Sequence, residues 1–92
     1  MLVDGWQDIT REILAKMPPE KREEQRRILE KLGEKIGREW ARDNSIRKID
    51  TDMLRQWGKE LRKTADQRPE QLPEVIHNLV KKVDSILATP KT

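Results

Sequence analysis

Apolar residues fall along this chain in three- and four-residue steps, the spacing that lines one face of an α-helix. Trp6, Ile9, Ile13, Leu14 and Met17 make the first such stripe, which Pro18 and Pro19 end. Asp4, with Gln7 three residues on, forms a variant capping box, so the pattern predicts a short amphipathic helix over about 5–16. Trp6 at its start reads as a core anchor covering the end of a neighbouring helix.

Pro19 suits the first turn of a second helix, where its missing N–H has no partner to lose, and Glu20, Glu23 and Glu24 complement the positive end of the helix dipole. The run 20–27 contains no apolar residue, so this end is expected to project into solvent or to meet a partner. From Ile28 onward two rows appear. Ile28, Leu32, Ile36 and Trp40 share one, and Leu29, Gly33, Gly37 and Ala41 the next. A helical glycine costs ~1 kcal/mol relative to Ala, so Gly33 and Gly37 imply a close approach, for which a helix crossing is a plainer cause than a flat ligand. The second helix is predicted over 19–43, with Asn44 accepting the left-handed position after it.

Ile46 and Ile49 could tuck beneath the following connection. Asp50 is a suitable N-cap for a third helix over 50–66, stapled by Ile49 and Leu54. Met53, Leu54, Trp57 and Leu61 continue its apolar stripe, while Arg55, Lys59, Arg62 and Lys63 load the other faces. The stretch 64–73, with two prolines, is the expected break. Beyond it Leu72, Ile76, Leu79, Val83 and Ile86, flanked by Val75, Val80 and Leu87, predict a fourth helix over 73–88. Burying such side chains is worth ~1.5–3 kcal/mol each, so this oligomer or helix-packing face either roofs the first three helices or pairs with a second copy. The expected architecture is therefore all-α: one domain over 1–92, a three-helix core over 1–66 and a proline-bounded C-terminal helix over 67–92. Trp6, Trp40, Trp57, Gly33 and Gly37 are its expected core anchors.

Composition narrows the function. In 92 residues, 40% charged and 34% hydrophobic, there is apolar surface for a thin helical core but not for a doubly wound sheet. Tyr and Phe are absent, which removes usual strand fillers. The lack of cysteine excludes disulfides, thiolate metal sites and a thiol nucleophile. No leader-like segment and no apolar run near the ~20 residues of a membrane span is present, so no membrane insertion and a cytoplasmic location are expected. A net charge of +3, with acids interspersed throughout, reads first as a solvated surface and leaves nucleic-acid binding open.

Catalytic candidates are few. Glu74 and His77 have the E-x-x-H spacing of di-iron bundles, yet with Ile76 and Leu79 facing the core they should point outward. Ser45 and Ser85 lack the surroundings of a nucleophilic serine, and Gly33 and Gly37 lie within a helix rather than in a phosphate loop. No enzymatic activity and no cofactor are expected.

Two resemblances remain, both centred on the corner at 38–57. Trp6, Leu14, Met17, Pro18, Arg22, Gly37, Ala41, Arg42, Ile46, Ile49, Asp50 and Leu54 together resemble the pattern of the small C-terminal domain of the B subunit of light-independent protochlorophyllide reductase. The match covers about 6–57. Pro19 and Glu20 depart from it, standing where that family tends to have aromatic and apolar residues, and so does Asp50, where the family favours an Ile-Thr pair. The resemblance implies a helical accessory module of a reductase-like complex or of pigment metabolism, with no catalytic residue carried over.

Separately, a short helix, a long helix, I-R-K-I-D and a third helix resemble a histone-type fold, and M-L-R-Q-W-G-K-E-L is similar to the recognition-helix start of MerR-type regulators. The connection 44–50 is too long for a tight helix-turn-helix. Phosphate contacts would fall to Arg42, Arg47, Lys48, Arg55, Lys59, Arg62 and Lys63. The expectation is a non-catalytic interaction module, with Arg42, Arg47, Lys48 and Arg55 as partner-binding residues. A protein partner or self-association is preferred to DNA or RNA.

Overall fold

The computed structural model describes residues 4–42 and 48–88. Among them the chain forms four α-helices, α1 (Asp4–Lys16), α2 (Pro19–Trp40), α3 (Thr51–Gln67) and α4 (Leu72–Ala88), with a 3₁₀ turn over Pro69–Gln71 and no strand. The expected cap by the Asp4 side chain, the helix end at Asp43 and Asn44, the tuck of Ile46 and the partner role of Arg47 concern groups outside the described residues.

The helix limits follow local chemistry. Asp50 caps α3 as its sequence position implies, its Oδ1 accepting the Met53 N–H at 2.9 Å. Three limits differ from expectation. The Ala41 N–H still makes the ordinary helical bond to Gly37 O at 3.0 Å, but the Arg42 N–H tightens onto Glu39 O at 3.2 Å, and the helix stops at Trp40 rather than 43. The α3 helix runs on to Gln67 and closes with Arg68 N–H on Thr64 O at 2.7 Å. The proline-rich break thus shrinks to a single 3₁₀ turn, because Pro69 starts that turn where no N–H is needed and Leu72 already belongs to α4.

The start of α2 is exposed over residues 20–24, as its polar run suggests, but it also makes contacts inside the fold. Arg22 folds back on the end of α1, donating from Nε to Leu14 O at 2.9 Å and from Nη2 to Met17 O at 3.0 Å. A cation there satisfies carbonyls that the helix leaves open and meets the negative end of its dipole. Gln25 on the same stretch is buried.

The core is continuous, and its most enclosed side chains are Ile13, Met17, Leu29, Leu32, Ile36, Ile49, Leu61, Leu72, Ile76 and Val83. Next to it α1 lies between α2 and α3. It is antiparallel to α2, with Trp6 against Gly33 near one end and Leu14 near Arg22 at the other. Against α3 it runs parallel: Ile9 meets Gly58, Glu12 meets Arg62 and Lys16 meets Asp66. Over the other side α4 packs on α3 and α2, and Lys35 of α2 reaches Asp84 at 2.7 Å.

The apolar face of α4 therefore serves as a roof within one chain. Leu72, Ile76, Leu79 and Val83 are buried, while Ile86, Val75, Val80 and Leu87 sit half-buried at its edges. Among the described residues no helix is long and apolar enough to cross a membrane.

Candidate partner-binding groove

At the corner after α2 an acid organises its basic neighbours. Glu39 is 5% exposed, and its carboxylate accepts the Lys48 backbone N–H at 2.5 Å and Arg42 Nη1 at 3.2 Å. It thereby holds the far side of the connection against the end of α2. Lys48 in turn donates from Nζ to Leu87 O at 2.8 Å, closing the last turn of α4. Arg55 faces Asp52 at 3.7 Å, both side chains being largely exposed. Of the residues expected to meet a partner, then, Arg42 and Lys48 work inside the fold, and Arg55 stands at the surface on a different element.

Glu39 and Gln25 were legible only in hindsight of register. Both lie on the α2 row 25, 29, 32, 36 and 39 that faces the core, so the three- and four-residue steps through Leu32 and Ile36 do reach them. Their polarity hid the signal. Among the described residues the Gln25 Oε1 has no hydrogen-bond partner, an arrangement that costs ~1–3 kcal/mol for a buried acceptor.

The close approach expected at Gly33 is made by Trp6. A Cβ at Gly33 would stand 2.9 Å from Cδ1 and Nε1 of that indole, whose N–H donates to Leu29 O at 3.3 Å. Gly58 plays the same part on α3, where a Cβ would be 2.5 Å from Ile9 Cδ1. Two side chains one turn apart on α1 thus use glycines on two different helices, a relation no single-helix pattern displays. Trp57 is buried, Gly37 half-buried, and Trp40 packs on the core from its edge while remaining half-buried.

Trp40 helps to line an open groove of about 360 Å³ between α1 and α3. Its apolar lining comes from Trp6, Ile9, Leu54 and the Trp40 ring, and Gly5 leaves open space at one wall. The charged side chains on its lining are Arg55, Lys59 and Arg62, all from α3 and all cationic. Arg62 is held by Glu12, at 2.7 Å from Nε and 3.4 Å from Nη2. Lys59 makes no ion pair among the described residues.

A second groove, of about 640 Å³, separates α1 from α2, but its lining mixes Arg11 and Arg26 with Glu30 and Glu34. Arg26 is already bonded to Glu30 at 2.8 Å and to Glu23, whose carboxyl it holds below the usual carboxylate range by that hydrogen bond. Glu74 and His77 are both exposed on α4, as their register predicts. Among the described residues no three His, Asp or Glu side chains gather where they could hold a metal ion. Compared with protein-family models, curated proteins and solved structures, the chain matches none.

Proposed function

We propose that this chain is a non-catalytic helical module that works by protein–protein contact through the groove between α1 and α3. The observation carrying this reading is a tryptophan only partly buried beside an apolar floor, a combination enriched where proteins meet one another. Its resemblance over about 6–57 to the small C-terminal domain of the protochlorophyllide reductase B subunit gives the module a setting, as an accessory in a reductase-like complex. A photo-crosslinking side chain at position 59, in the cells that make the protein, tests the reading. Crosslinks to a defined protein that are lost when the groove is filled support it; crosslinks to nucleic acid alone, or none, reject it.

A second reading, contact with the DNA or RNA backbone, draws on Lys59 and Lys63, neither of which makes an ion pair among the described residues. Three of the other expected phosphate contacts work against it, since Arg42, Lys48 and Arg62 are engaged by Glu39, Leu87 and Glu12. Titration with mixed-sequence duplex separates the two. Binding that falls steeply between ~50 and ~200 mM salt indicates counterion release and favours the nucleic-acid reading. No binding at low salt eliminates it.

A further inference from the structure

The chemistry of the groove specifies its occupant more narrowly than the proposed interaction function on which this step rests. Its floor is apolar, and a Cβ built at Gly5 meets no atom within 4 Å, so the groove has room for an incoming side chain at that wall. Its charge is one-sided. Arg55 and Lys59 stand one helical turn apart, at the spacing that brings i and i+4 side chains within ~5–6 Å of one another. No carboxylate opposes them among the described residues of the lining. The Asp52 carboxylate near Arg55 is 85% exposed and 3.7 Å away, a pairing that is readily exchanged because such surface contacts are worth only ~0–1 kcal/mol.

We infer that the groove receives an acidic amphipathic helix of a protein partner. One apolar anchor of that helix seats beside Gly5 and Leu54 against Trp40, and two carboxylates a turn apart lie along Arg55 and Lys59. The acidic stretch is short, because the next cation, Arg62, already makes two contacts to Glu12, at 2.7 and 3.4 Å, closer than Arg55 comes to Asp52. Apolar burial supplies affinity, while the charges set orientation and reject basic partners.

The test uses the full chain, ¹⁵N-labelled, titrated with three helical peptides of one length. The first has a leucine stripe with Glu on the remaining faces, the second the same stripe with Lys, and the third the Glu faces with Gln in place of leucine. The first should bind and move the Trp40 indole N–H and the Arg55 and Lys59 amides, leaving the Trp57 indole in place. Lys59→Glu should weaken it about tenfold and favour the Lys peptide. Gly5→Leu, which fills space that no atom occupies, should abolish binding while the thermal midpoint is kept or raised.

Equal binding of the Lys peptide, equal binding of the peptide without leucine, no binding of any, or binding unaffected by Gly5→Leu each overturns the inference. Self-association of the free chain that Gly5→Leu abolishes also overturns it, in favour of a second copy as occupant. Failure of the underlying function is read separately from the crosslink at position 59. A protein crosslink lost in Gly5→Leu keeps the interaction reading with a partner of different chemistry, and its absence removes both.

Discussion

Towards their C-terminal ends α1 and α3 are laced together by Glu12 on Arg62 and Lys16 on Asp66, outside a floor that includes the fully buried Ile13 and Leu61. Towards their N-terminal ends the same two parallel helices leave the groove, where among the described residues no acid of the lining faces Arg55 and Lys59 and Gly5 supplies no side chain. Helix geometry is common to both ends, so the difference is one of side chains. A seam of this kind closes where each helix offers both a volume and a charge that the other lacks, and stays available where only one does.

The sharpest way to break the comparison is to cut a large side chain from each end. Ile13→Ala should cost ~2–5 kcal/mol by chemical denaturation, because the void it leaves is enclosed. Leu54→Ala should fall at or below the lower end of that range, since its void opens onto the groove and admits water. Equal costs would mean that the N-terminal end is packed as firmly as the other.

Next come the glycines. At Gly33 alanine gains ~1 kcal/mol of helix propensity but must displace a rigid indole and its hydrogen bond, so Gly33→Ala should be net destabilising by ~1–2 kcal/mol. Gly5→Ala meets nothing and should stabilise by up to about 1 kcal/mol. A thermal melt that ordered these two variants the other way would contradict the packing described for Trp6. The smallest effect belongs to the lacing. Glu12→Gln should cost ~0.2–1 kcal/mol at low salt and fade as ionic strength rises, because both partners are about half exposed.

Most of the architecture was legible from spacing alone. The four stripes predicted the four helices, and Asp50, Ile49 and the α4 face behave as their sequence positions imply. Element ends were less legible: the stop at Trp40 comes just before a corner across which Glu39 holds the Lys48 N–H, an interaction nine residues apart in sequence. The site was hardest to read, for a physical reason. Arg42, Lys48 and Arg55 look alike as a cluster of cations, and only the positions of Glu39 and the end of α4 decide which of them are occupied. Likewise Gly5, Trp40 and Lys59 belong to three helices, and no pattern within one helix brings them to a common groove.

The parallel course of α1 and α3 has a consequence for how the protein folds. Trp6 reaches Leu29 across 23 residues, whereas Glu12 reaches Arg62 across 50. Roughly doubling a loop adds only about 0.6 kcal/mol of closure entropy, but non-local contacts slow folding because that entropy is lost before they form. The hairpin of α1 and α2 should accordingly assemble early, with α3 docking into it late. Changes at Gly33 would then act on the folding rate, and changes at Gly58 chiefly on the rate of unfolding.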